Sequence, residues 1–233
     1  MNLELIKNFL TNDLNLTDVD SILEKFQTYE KLLLEWNDKF NLTAIKEENE
    51  VTEKHFIDSL FSLKYVDFDN KTLLDIGSGA GFPALPLAIL NPSLKATLIE
   101  SNGKKVSFLN EVKNVLKLEN VNIVKSRVED IKEKEQFDYV SARAVTELRV
   151  LLELSIPYLK VGGQLIAYKL FDNEEEIISS KNALKVLDCY VEHNYKFELP
   201  LSKSKRSLLV IKKNKKTKNK YPRLYSEISH HPL

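Results

Sequence analysis

Cysteine is almost missing: Cys189 is the only one in 233 residues. That excludes an internal disulfide and a cysteine metal cluster, and it fits a reducing cytoplasm. No apolar run approaches the roughly 18 residues of a membrane span. The opening MNLELIKNFL has no basic segment leading into an apolar core, so no signal peptide is expected. Histidine is scarce, and His55 has no second histidine or acid cluster beside it that would suggest a metal. Net charge is also absent, with 34 basic and 34 acidic side chains.

That balance hides a gradient. Residues 1–70 carry 7 basic and 15 acidic side chains, whereas residues 201–233 carry 10 and 1. A polyanion would therefore meet the C-terminal end rather than the N-terminal one. The length suits one domain with an appendage. We divide it into an N-terminal helical cap over 1–66, a core over 67–211 and a basic tail over 212–233.

The cap reads as three helices. The first covers 3–11. A second opens at Thr17 and carries an apolar stripe of Ile22, Phe26, Tyr29, Leu33, Trp36 and Phe40. The third covers about 50–65 and contains His55, Phe56, Asp58 and Ser59. From residue 72, strands alternate with helices, which predicts an α/β fold with a doubly wound, mostly parallel sheet. Strands are expected at 72–76, 95–100, 121–125, 137–141 and 163–168. Helices are expected at 82–90, 103–117, 147–159 and 173–190. Strands near 195–199 and 206–211 close the sheet, and the lysine-rich stretch 212–220 is expected to be mobile.

Glycine is sparse, and three of the six residues alternate in Leu73-Leu74-Asp75-Ile76-Gly77-Ser78-Gly79-Ala80-Gly81-Phe82-Pro83. A buried strand runs here into a turn and then a helix N-terminus, whose free N–H groups suit a ligand. Glycines let the backbone approach where a Cβ would intrude. A dinucleotide fingerprint would need glycine at Phe82. Asp75, Gly77, Gly79 and Gly81 instead resemble motif I of the S-adenosylmethionine-dependent methyltransferases, whose fold is the class I, Rossmann-like one.

Other candidates lie at the carboxyl ends of the strands, where open α/β sheets bind ligands. Glu100 ends strand two and can accept both ribose hydroxyls of a nucleoside; otherwise it is a solvated acid. Arg127-Val128-Glu129 either reads an adenine edge or forms an ordinary turn. Arg143 ends strand four and needs a partner there: substrate, a cofactor carboxylate, or Glu147, which spacing favours. Lys169 at the end of strand five, Arg206 and His55 are further candidates, and each could be structural. A lone His beside Phe56 reads first as a packing residue. From Lys203 to Arg223 there are ten basic residues and no acid, which make either a solvated face or a set of phosphate contacts.

Strand four lacks the Asp/Asn-Pro-Pro-aromatic tetrapeptide that transfer to exocyclic amines commonly uses. Cys189 falls in the last expected helix, away from these loops, so a cysteine nucleophile for carbon methylation is also missing. Ring nitrogens with a free lone pair need neither device.

Several separated segments together resemble the glucose-inhibited division protein B family, the RsmG-type 16S rRNA (guanine-N7) methyltransferases. They are Trp36-Asn37 with Asn41-Leu42-Thr43, His55-x-x-Asp58-Ser59, the 75–83 turn, Glu100-Ser101-x-x-Lys104-Lys105, Ser126-Arg127-Val128-Glu129, Ser141-x-Arg143-Ala144, and Tyr221-Pro222-Arg223 with Pro232-Leu233. Ala84, Leu170 and the stretch Leu224 to His231 depart from the family pattern. The resemblance implies that Gly77 and Phe82 border S-adenosylmethionine, that Glu100 holds its ribose and that Val128-Glu129 meet its adenine. It also implies that Arg143 belongs to the site rather than to a salt bridge with Glu147. Lys169, Arg206 and Arg223 are then candidates for RNA contact. The implied acceptor is a guanine of the 530 loop in 16S rRNA or the small ribosomal subunit, reached by a cytoplasmic monomer without metal. A turnover-free RNA-binding module, a small-molecule methyltransferase and a nicotinamide oxidoreductase are the rivals.

Overall fold

A computed structural model describes residues 1–233. The cap contains α1 (Leu3–Asn8), α2 (Asp20–Phe40), α3 (Glu48–Val51) and α4 (Asp58–Leu60). α2 starts three residues after Thr17, and Asn41 ends it in the left-handed region with φ 48°. The third expected helix is one helical run with uneven winding. Between α3 and α4 it passes through a π-helical turn, Thr52–Ile57, which holds His55; Phe61–Lys64 then closes it as a 3-10 turn. Such π turns recur at functional positions because they re-aim side chains.

The core supplies β1 (Thr72–Ile76), α5 (Ala84–Leu90), β2 (Lys95–Glu100), α6 (Gly103–Val115), β3 (Val121–Lys125), β4 (Phe137–Arg143), α7 (Leu148–Ser155) and β5 (Leu159–Leu170). α8 (Glu174–Ser179), α9 (Lys181–Val186), β6 (Cys189–Glu198), β7 (Lys205–Lys213) and α10 (Tyr225–His230) follow. The sheet order is β3-β2-β1-β4-β5-β7-β6, with β1 to β5 parallel and β7 antiparallel to both neighbours. The order reverses between β1 and β4, so the crevice beyond their carboxyl ends is where such a sheet takes a ligand.

Two apolar layers cover the sheet. One joins α5 and α6 to the cap through Phe26, Tyr29, Phe56 and Leu60. The other joins α7, α9 and α10 through Leu151, Leu154, Ala183 and Ile228. Burying one apolar side chain of this size is worth about 1.5–3 kcal/mol. The cap is therefore held to the sheet by burial of its aliphatic and aromatic residues together.

Three expectations need correction. The helix expected over 173–190 is two short helices that end at Val186. Cys189 therefore opens β6 rather than ending a helix, and it is buried with its thiol pushed up to about 12 by desolvation. The stretch 212–220 expected to be mobile begins inside β7. There the Lys213 side chain is fully buried and bonds Glu135 at 3.1 Å and the Leu159 carbonyl at 2.8 Å. Further on, Tyr221 and Ile228 are buried in the second layer. Pairing of β7 between β5 and β6 buries its Ser207–Ile211 run on both faces, and a lysine count hides it.

Candidate active site

The glycine turn leaves β1 with φ of 65° at Gly77, 58° at Gly79 and 95° at Gly81, a region that other residues avoid. Gly77 and Ser78 donate their N–H groups to the Ile99 carbonyl at 3.0 and 3.2 Å. Glu100 is buried at the end of β2. Its Oε2 accepts from Gly79 N–H at 2.9 Å and its Oε1 from Asn102 N–H at 2.8 Å. Each carboxylate oxygen keeps a further lone pair for another donor.

Asp75 is buried across the switch point from Ser141 of β4. Its Oδ1 accepts from the Ser141 hydroxyl at 2.6 Å, whereas the equally buried Oδ2 has no partner. Burial pushes this carboxyl up to about 6. An orphaned buried acceptor is costly, so a donor from a ligand would relieve it. A Cβ on Gly79 would find nothing nearer than the Gly77 carbonyl at 3.8 Å, so the turn is open there. Asp75, Gly77, Gly79 and Glu100 thus form a cradle that fits a nucleoside bearing a cationic amino acid, which is the chemistry of S-adenosylmethionine.

Gly81 has a different duty. A Cβ there would stand 2.4 Å from Leu85 Cδ1 and 2.5 Å from the Tyr29 hydroxyl, which donates to the Ala80 carbonyl. Phe82 is buried between Tyr29 and His55, stacked on them at 5.1 and 4.7 Å between ring centres. Val128 and Glu129 follow β3 beside Glu100, where Ser126 N–H bonds the Glu100 carbonyl at 3.2 Å. The Val128 carbonyl accepts from the buried Tyr158 hydroxyl.

Beyond the turn lies a cleft of about 630 Å³. Val145 is the partition: it lines the cleft, and its Cγ2 stands 3.1 Å from the place of a Gly77 Cβ. Three cations from strand ends face this space, Arg143 of β4, Lys169 of β5 and Arg206 of β7, opposite Lys54, His55 and Asp58 of the cap. Arg143 Nη1 donates to the Lys54 carbonyl at 2.8 Å and to Asp58 Oδ2 at 3.0 Å, and its Nη2 meets His55 Nδ1 at 3.1 Å. Arg206 Nε lies 3.9 Å from Asp58 Oδ1. Lys169 Nζ donates to Glu176 at 2.6 Å and to the Thr146 carbonyl at 2.9 Å.

The family profile described as "rRNA small subunit methyltransferase G" matches residues 22–218. The chain belongs to this family. It is 48% identical over 206 residues to the ribosomal RNA small subunit methyltransferase G of Streptococcus pyogenes serotype M12, with 86% of each chain covered. It is 44% identical to the Streptococcus pneumoniae serotype 19F protein of the same name, with 94% of each covered. Among solved structures, a SAM-dependent methyltransferase from Aquifex aeolicus shares the fold, with a TM-score of 0.56 and 18% identity over 73% of this chain and 96% of that one. This family member is an S-adenosylmethionine-dependent methyltransferase of small-subunit rRNA.

The structure gathers Asp75, Gly77, Gly79 and Glu100 at one end of the crevice, and Arg143, Lys169 and Arg206 at the other. It does not pair Arg143 with Glu147, whose carboxylate holds Arg149 Nε at 2.9 Å. Spacing within one segment could not foresee a partner from the cap. Arg223 lies outside the cleft: its guanidinium is engaged by the buried Glu153 at 2.6 and 2.8 Å and by the His231 carbonyl at 3.1 Å. His55 and Asp58 are the residues that a local reading undervalues. The available signal is their spacing of three, which puts two polar side chains on one side of an apolar helical run.

Proposed function

We propose that this family member methylates N7 of a guanine in the 530 loop of 16S rRNA, acting as a cytoplasmic monomer on the small subunit or its RNA. The observation that carries the reading is the cleft on the far side of Val145 from the glycine turn, where Arg143, Lys169 and Arg206 stand among the acids Asp58, Glu147, Asp172 and Glu176. It offers room for a splayed base, and recognition of loop RNA generally works on bases taken out of their stack. No helix is long and apolar enough to cross a membrane, and no trio of His, Cys, Asp or Glu side chains converges to hold a metal.

Asp75, the Gly77–Gly79 backbone and Glu100 would hold the cofactor, with Val128-Glu129 alongside its base. Bound there, S-adenosylmethionine supplies a methyl group on a positively charged sulfur. Guanine N7 carries a lone pair and no proton, so no side chain has to act as a base. In keeping with this, the cleft's one histidine has both ring nitrogens engaged, by Arg143 and by Thr43. The protein's task is orientation, which by itself can lower a barrier by about 7–11 kcal/mol.

The methylated base becomes cationic, so an arginine against N7 would oppose the developing charge. Arg143 therefore serves a phosphate or guanine O6. Three of its five N–H donors are spent on the cap, which leaves two for RNA. Lys169 and Arg206 add charge for phosphates. The test is mass spectrometry of rRNA from cells with and without the protein. Loss of 7-methylguanosine at one loop position, restored on complementation, is the expected result. An unchanged spectrum would overturn the reading.

A further inference from the structure

The cleft's arginines do not stand alone. Asp58 is 5% exposed and sits between Arg143 at 3.0 Å and Arg206 at 3.9 Å, one guanidinium to each carboxylate oxygen. These arginines come from β4 and β7, on opposite sides of β5. One carboxylate from the cap therefore sets the spacing between two cations whose strands do not touch. Two positive charges against one negative leave the trio with a surplus of one, which an incoming phosphodiester would complete.

His55 supplies the second hold. Arginine can only donate, so His55 Nδ1 must accept from Arg143 and the ring proton must sit on Nε2. That proton points at Thr43 Oγ1, 2.9 Å away. Thr43 is fixed in turn: its N–H donates to Asn37 Oδ1 at 2.8 Å, and its Oγ1 also accepts from Ile45 N–H at 3.1 Å. A protonated ring could not accept from Arg143 and would repel it. The buried ring is clamped further by stacking on Phe82, and Arg143 lies 5.3 Å above that same Phe82. A chain of contacts thus runs from the end of α2 through Thr43 and His55 to the guanidinium.

We propose that Asp58 and His55 are positioning residues of the methyl-transfer reaction: Asp58 sets Arg143 and Arg206 in register across the cleft, and neutral His55 fixes the plane of the Arg143 guanidinium. On this account the acidic cap completes the RNA site without lending a cation from these two positions. The inference rests on the guanine-N7 reading above, because it needs a step in which the arginines must meet RNA in one geometry.

The experiment compares full-length wild type, Asp58→Asn, Asp58→Glu, His55→Gln, Arg143→Lys and the double variant Asp58→Asn/Arg143→Lys. Each is assayed on small-subunit rRNA for kcat and KM, on S-adenosylmethionine by calorimetry, and for thermal midpoint. Asp58→Asn keeps size and one acceptor oxygen but loses the charge that holds both arginines. It should lower kcat about 10-fold or more while RNA affinity holds or tightens, because a negative charge has left the cleft. Cofactor affinity should stay within twofold. The double variant should lose clearly less than the product of the two single losses, since Asp58 acts in part through Arg143 and in part through Arg206. In wild type, nitrogen NMR at pH 6 should show His55 neutral with its proton on Nε2, and Arg143→Lys should disturb that signal.

Additive losses in the double variant would overturn the proposal. So would Asp58→Asn with a lower melting point but unchanged kcat and KM, which is what a merely structural acid predicts. If a variant fails to fold, Asp58→Glu and the NMR tautomer carry the decision. If wild type itself transfers no methyl group to guanine N7, the functional reading fails first. A fully active wild type beside a fully active Asp58→Asn sinks the positioning role alone.

Discussion

On the cofactor side, Glu100 bonds the Gly79 amide 21 positions away, and the surrounding contacts are main-chain bonds between neighbouring parallel strands. On the acceptor side, Arg143 meets Asp58 from 85 positions away and Arg206 joins from β7. The first half is a turn whose shape its own residues dictate. The second is an assembly of side chains that exists only when the cap is docked. Damage to the first should read out as lost cofactor binding or lost fold. Damage to the second should read out in methyl transfer with the cofactor still held.

The strongest test of that division is Gly81→Ala. The added Cβ would collide with Leu85 and Tyr29, and the φ of 95° disfavours any side chain. We expect a loss of at least about 3 kcal/mol of stability, measured by thermal unfolding, together with weakened cofactor binding. Next comes Arg143→Ala, which should lower kcat/KM for rRNA about 100-fold and leave S-adenosylmethionine affinity nearly intact. Arg143→Lys should recover only part, because an ammonium cannot replace a planar fork. If both variants kept full activity and full affinity for cofactor and RNA, the acceptor half would be wrongly drawn.

A pH titration probes the hold on Arg143. Burial, with Arg143 adding repulsion, lowers His55 from 6.5 to about 3. The unfolded chain therefore binds the extra proton first. The stability from neutral His55 is full above pH 6.5 and is lost as pH falls towards 3. Asp75 works the other way: burial raises its carboxyl to about 6, so its contribution declines as pH rises from 3.8 to 6. Comparing wild type with His55→Gln cancels the Asp75 slope. Their stability gap should narrow by about 2 kcal/mol between pH 7 and pH 5 in denaturant titrations. A constant gap would mean that His55 titrates normally and is not locked.

Glu100→Gln is a gentler cut. Both carboxylate oxygens receive backbone N–H groups, so an amide nitrogen must face a donor in either orientation. Cofactor affinity should fall about 10-fold, with rRNA affinity unchanged. The smallest effect belongs to Arg223→Lys. Its partner is Glu153 rather than the cleft, so rRNA affinity and its salt dependence should stay within about twofold.

Much of the sheet is legible in the sequence, because apolar strand runs alternate with amphipathic helices and each pattern is local. The boundaries that moved lie where local signals compete. Cys189-Tyr190-Val191 follows directly on the apolar repeat of α9 yet opens β6, since its pairing with β7 decides the matter. The basic tail looked like one electrostatic object, but Lys213 and Arg223 are each held by a single acid, Glu135 and Glu153. Composition counts charges and cannot see which of them already have partners.

By itself the sequence determined the glycine turn and the acids that flank it, because glycine at 77 and 79 and an acid at 75 and 100 dictate backbone shape and strand-end chemistry within one βαβ unit. It also determined, through patterning, that a helical cap would have an apolar face to bury. Only the tertiary structure decided what Arg143 touches. A guanidinium at a buried strand end takes whichever acceptors docking brings within hydrogen-bond reach. Here docking brings Asp58, His55 and the Lys54 carbonyl, and not the nearby Glu147.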